Sequence, residues 1–150
     1  MSGTSKTPIL IPALAPVYAF GAQWGWTIVR IMLGLWLMPH GFRKVFQDDA
    51  IAASRNFVMF GWDYPLLWAT AMGFLEFFGG FLLAIGLGTR VVATAFAIEF
   101  AVISFAVLYP NWQWGHRGME YALMICILAT MTVFQGGGRF SVDRLLGREL

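Results

Sequence analysis

Four stretches of this chain, residues 24–42, 65–87, 91–109 and 118–135, are apolar over lengths that few water-soluble proteins carry even once. A bilayer crossing takes roughly 20 mostly apolar residues, and backbone in hydrocarbon must satisfy its own polar groups, which a helix does. The expected fold is therefore all-α and integral to the membrane, a four-transmembrane-helix bundle with polar interior residues. Composition agrees: 59% of the chain is hydrophobic and 12% charged, where soluble domains have about half and a quarter. A water-soluble monomer has no means of hiding that surface. The net charge is +2, but the ten Lys and Arg are scattered, which argues against a nucleic-acid partner. Cys126 stands alone, excluding an intrachain disulfide, a CxxC pair and a cysteine zinc site.

The 150 residues suit one domain. "GLGTR" (86–90) reads as a tight turn that makes a hairpin of the second and third spans. The loop over 44–65 has room for a short helix on the membrane surface. Trp24, Trp26, Trp62, Trp112 and Trp114 suit the aromatic belt at the water interface. Before the first span, "TPILIPALAPVYAF" (7–20) is apolar but holds three prolines, so residues 1–23 read as an interfacial segment rather than a further crossing or a cleaved signal. Residues 24–135 form the membrane domain and 136–150 a C-terminal tail. Four crossings put both termini on one side, with Lys6, Arg90, Arg139, Arg144 and Arg148 there and Arg43, Lys44, Arg55 and Arg117 opposite. This bias favours cytoplasmic termini in the cell's inner membrane.

Against this apolar background the ionisable residues stand out. At 1.5 Å per residue, Arg30 lies about 10 Å into the first helix, Glu99 about 12 Å into the third, and Glu76 near the middle of the second. These depths let the three meet. Arg30, Gly34, Leu37, Gly41 and Lys44 share one stripe; Gly73, Glu76 and Gly80 share another, and Glu99 falls with Ala95 and Ala106. Small residues beside a charge allow close helix approach, so the charges are expected to face the bundle. Two readings follow. Arg30 forms a structural ion pair with Glu76 or Glu99 that fixes helix register. Alternatively, the surplus carboxylate holds a proton, relays it, or binds a polar head group such as the carbonyls of a quinone. "FLEFFGGF" (74–81) offers a flat ring room beside Glu76.

A second cluster lies toward the other end: His40 and Glu120, with Arg43, Lys44, His116 and Arg117 near them. His116 and Glu120 are four apart, and with His40 they complete two histidines and a carboxylate, the ligand set of some non-haem iron sites; a haem between the histidines and a plain interfacial cluster are the other readings. Pro39 is expected to bend the first helix and free carbonyls beside His40.

Taken in order, "RIMLGLWLMPHGFRK" (30–44), "EFFGGFLLAIGLGTR" (76–90) and "GMEYALMICILATMTVFQGGGRFSVD" (118–143) resemble the DoxX family of small four-helix membrane proteins, which includes a thiosulfate:quinone oxidoreductase subunit. The family's first-helix positions fall on Arg30, Gly34, His40, Gly41 and Lys44. Its second-helix glutamate, double glycine and turn fall on Glu76, Gly79, Gly80, Gly86, Thr89 and Arg90. Its last-helix glutamate falls on Glu120, and its terminal motif on Gly136, Gly138, Arg139, Phe140, Ser141 and Asp143. Glu99 departs from the pattern. The resemblance implies an integral membrane protein tied to quinone-linked oxidoreduction, with quinone as cofactor. Arg30, Glu76 and Glu120 are then the chemistry-bearing candidates, and His40, Lys44 and Gly80 the cofactor-binding ones; no metal is assigned.

Two classes of function stand: a quinone-interacting subunit of a membrane oxidoreductase, or a non-catalytic scaffold or assembly subunit. The chain has no dinucleotide fingerprint, P-loop or cysteine redox motif, so electrons must arrive from other membrane or peripheral redox subunits. An oligomer is compatible with either class.

Overall fold

The structure, a computed structural model, describes residues 9–148 except the side chain of Trp114. The first eight residues of the expected interfacial segment, Lys6 included, and the last two of the expected tail lie outside the described residues. All regular elements among the described residues are helical. They are α1 (Ala15–Phe46), α2 (Asp49–Met59), α3 (Pro65–Ile85), α4 (Thr89–Leu108), α5 (Glu120–Gln135) and the short α6 (Val142–Leu145).

α1 begins well before residue 24 and absorbs much of the stretch expected to lie flat. Pro16 sits in its first turn, where the missing N–H has no intrahelical partner to lose, so this proline starts the helix rather than breaking it. The result is a 32-residue helix, about 48 Å long, longer than the ~30 Å hydrocarbon core. Pro39 lies inside it without ending it, leaving the Leu35 carbonyl without its helical donor. The loop after α1 does contain a helix, α2, which seats Ala50 and Phe57 against Ala69.

By length and composition α3 and α4 can cross a membrane, while the apolar α5 has 16 residues. α4 packs along α5, and α1 along α3. The shared core holds Leu33, Leu37, Leu83, Phe96, Phe100 and Ile125. The outside is apolar too: Trp36, Phe74, Phe81, Ile98, Phe105 and Phe134 are all exposed. So much outward-facing apolar surface suits lipid rather than water.

The α1 stripe is buried at Arg30, Gly34, Leu37 and Gly41, and the α3 stripe at Gly73, Glu76 and Gly80. A methyl on Gly34 would run into the backbone of Gly80 and Ala84, and one on Gly41 into the backbone of Gly73 and Phe77. Only glycine lets the two backbones come this close.

Two wide π turns interrupt the long helices, Leu75–Gly79 in α3 and Ile103–Leu108 in α4. The second corrects the face expected for Glu99. Ala106 is exposed, and Ser104 is fully buried instead. A π turn takes more residues than an α turn, so the face reached seven residues on from Glu99 rotates outward.

Candidate functional site

Glu76 lies within the π turn of α3 and is 3% exposed. Both its oxygens accept from Lys44 Nζ, each at 2.6 Å. The expected pairing with Arg30 does not form. α1 and α3 run antiparallel with Gly34 seated between Gly80 and Ala84 and Gly41 between Gly73 and Phe77, a register that sets Glu76 level with residue 40. Arg30 lies ten residues away along α1, about 15 Å. Similar depth in the two helices does not bring Arg30 and Glu76 together, because the helices are not flush at their ends. The pair Lys44–Glu76 was available from the stripes, since Lys44 closes the α1 stripe, but only the antiparallel register selects it over Arg30.

Glu99, 4% exposed on α4, has neither carboxylate oxygen hydrogen-bonded. Glu76 and Lys44 are its charged neighbours. Three helices thus bring one ammonium and two carboxylates to a common region of the interior.

Arg30 is fully buried and serves a different part of the fold. One terminal nitrogen donates to the carbonyls of Leu83 at 2.6 Å and Ala84 at 3.0 Å, and the other to Phe140 at 2.7 Å. These are the last carbonyls of α3, where a cation is favoured by the helix dipole, plus one carbonyl of the C-terminal segment. That segment is docked along its length. Trp24 stacks on Phe140 at 3.9 Å between centroids, Trp26 Nε1 donates to the Gly136 carbonyl, and Asp143 N donates to the Gly86 carbonyl. The Asp143 carboxylate accepts from the N–H groups of Gly88 and Thr89, at 2.7 and 2.8 Å. The segment expected as a tail is a clasp on the end of the bundle, and Arg30 is its buried anchor. Burial alone would raise the Asp143 pKa, but the N–H groups of Thr89 and Gly88, with Arg30 nearby, bring it below its ordinary 3.8.

The sign of the pH effect follows. A carboxyl held lower in the folded state contributes stability that is fully present above 3.8 and is lost as pH falls through the folded value. The gap in melting temperature between wild type and Asp143→Asn is expected to be constant from pH 8 to pH 5 and to close in acid. A gap that narrows between pH 7 and 5 would remove Asp143 as the charged clasp.

The remaining candidates meet at a cleft between α1 and α5. Trp36, His40, Glu120, Tyr121 and Met124 line a cavity of about 670 Å³. A wholly aliphatic and aromatic groove of about 370 Å³, walled by Ile28, Met32, Leu33, Trp36 and Leu128 among others, adjoins it. Trp36 Nε1 donates to the Tyr121 hydroxyl oxygen, which turns the phenol's own hydrogen elsewhere. His40 and Glu120, expected near each other, line this one cavity, whereas Trp36 and Tyr121 carried no signal in the sequence, because an aromatic on a membrane helix reads as lipid-facing filler. Gly80 does not reach this cleft; its role is the contact with Gly34. His116 lies in a one-turn 3-10 helix, and among the described residues no group of three His, Cys, Asp or Glu can hold a metal ion, so the triad of His40, His116 and Glu120 does not assemble.

The chain matches the family model described as DoxX over residues 25–108. No curated protein and no solved structure matches it.

Proposed function

The chain belongs to the DoxX family of membrane proteins, and from that premise we propose that it is an oxidoreductase subunit that binds a quinone in the cleft between α1 and α5. The observation that carries this reading is the cleft itself. A quinone presents a flat ring with two carbonyl oxygens and an apolar tail. The larger cavity has aromatic and methionine walls with His40, Glu120 and Tyr121 at hand, and an apolar groove leads away from it. The size is that of ordinary small-molecule sites, roughly 300–1,000 Å³ with few polar groups. A bound quinone would supply two-electron, two-proton chemistry. His40 and the Tyr121 hydroxyl would donate hydrogen bonds to ring oxygens, with the Glu120 side chain beside them. Trp36 fixes the Tyr121 oxygen, and Lys44 holds Glu76 in the interior behind the cleft. The chain itself offers no electron carrier, so a partner subunit donates or accepts the electrons.

The reading includes four crossings, by α1, α3, α4 and α5, with both termini on the cytoplasmic side of the inner membrane. Tags at the two termini are expected to be labelled from the same face; labelling from opposite faces overturns four crossings.

The functional test is retention of quinone. Protein purified in mild detergent and extracted with organic solvent is expected to yield near-stoichiometric quinone, which His40→Ala reduces and His116→Ala does not. An empty wild-type protein that copurifies with other subunits would favour the scaffold, and equal loss in both variants would move the site away from the cleft.

A further inference from the structure

We propose that Glu99 is a separate proton-binding site of this chain, filled and emptied through the cavity between α2 and the π turn of α4. It does not depend on what occupies the cleft.

The charge balance of the interior is the first ground. Lys44 is consumed by both oxygens of Glu76, which leaves the Glu99 carboxyl with no donor to either oxygen. Phe96 and Phe100 flank it on α4, and Ala122 and Ile125 of α5 belong to the same core. The charged groups around it are Lys44 from α1 and Glu76 from α3; on α5, Tyr121 lies near Glu76, and the Cys126 thiol is turned to the Ala97 carbonyl at 3.4 Å. None of these supplies a hydrogen bond to Glu99. A bare carboxylate at membrane depth is costly, and one proton removes the imbalance. A metal cation would need several oxygen ligands, and the described residues offer no such group.

Access is the second ground. A cavity of about 190 Å³ lies where α2 leans on the bundle, with Asn56 and Arg117 among its polar lining and Lys44 and Ile103 also in its wall. Asn56 and Arg117 are hydrogen-bonded to each other at 3.0 Å. Lys44 is therefore common to this cavity and to the carboxylate pair. Ile103 opens the π turn one helical turn after Glu99. Such wide turns recur at functional sites, and here Ser104 within it bonds back to the Phe100 carbonyl. The cavity thus reaches from the polar Asn56–Arg117 contact to Lys44, the cation beside Glu76 and Glu99. The step is proton transfer alone. A carboxylate oxygen of Glu99 gains H⁺ from water to become O–H and returns it by the same path, and no electron moves.

Infrared spectroscopy of the full chain in lipid nanodiscs tests the proposal without quinone. Wild-type protein at pH 7 is expected to show a carboxylic-acid carbonyl band that shifts in D₂O and is lost in Glu99→Gln. Should Glu99→Gln not fold, Glu99→Asp is expected to move the band instead of removing it. Asn56→Leu, which makes the polar end of the cavity apolar, should keep the band and slow its deuterium shift several-fold. The site is overturned if wild type lacks the band, if the band survives Glu99→Gln, or if it responds to added sodium or calcium in place of deuterium. An unchanged exchange rate in Asn56→Leu overturns the route.

Discussion

Lys44→Met is expected to destabilise the bundle by about 3–5 kcal/mol, the usual cost of removing one partner of a buried ion pair. Lys44 Nζ is hydrogen-bonded to both oxygens of Glu76, and Glu76 is 3% exposed. Without the ammonium, Glu76 and Glu99 are left as two carboxyls in the interior with no cation beside them. Relaxation cannot help much, because Gly41 and Gly73 already hold α1 and α3 at backbone contact on either side. The double change Lys44→Met with Glu76→Met should recover most of the loss, since well-packed apolar replacements of a buried pair are often neutral or better. Thermal unfolding of the three proteins in one detergent decides it. A single variant as stable as wild type would mean that the pair contributes nothing to the fold.

Arg30→Met is expected to cost a similar amount, roughly 3 kcal/mol or more, by a different route. It strands the carbonyls of Ala84 and Phe140 and takes one of two donors from that of Leu83, which keeps the Gly86 N–H at 3.1 Å, and an unsatisfied buried acceptor costs about 1–3 kcal/mol. The C-terminal segment should loosen at the same time, freeing the backbone around the already exposed Arg144 for cleavage by trypsin. Arg30→Lys should recover only part of the loss, because a compact ammonium lacks the guanidinium's fork of donors. Effects of Arg30→Met and Asp143→Asn should not add, since both residues hold the same segment. Combining Arg30→Met with Glu76→Met, which would rescue a bundle held by a direct pair, should give no rescue here. Unchanged stability and protease resistance in Arg30→Met would dismiss the clasp.

Several things were legible in the linear chain, because they depend on local composition and periodicity. Long apolar stretches dictate helices, and charges placed beside glycines on one stripe dictate which faces turn inward; the buried stripes of α1 and α3 are the ones the 3.6-residue period marks out. His40 and Glu120 at one level also follow from counting along two helices. The resemblance to the DoxX family came from the order of such motifs, and the family match over residues 25–108 bears it out.

What the sequence could not decide was who meets whom. Arg30 and Lys44 lie on the same stripe, and either could neutralise Glu76 as far as periodicity is concerned. The choice is made by a glycine-to-glycine register that places Lys44 beside the carboxylate and Arg30 about 15 Å away, under the end of α3. The π turns are equally invisible to a fixed period, and one of them rotates Ser104 inward in place of Ala106. The "GLGTR" turn and the terminal residues 136–143 read as a loop and a tail because each is irregular by itself. They become one structure only when Asp143 caps the start of α4 and Arg30 collects the carbonyls left over at the end of α3. Periodicity is a property of one helix, whereas pairing depends on the offset between helices, and that offset is fixed by how closely their backbones can approach.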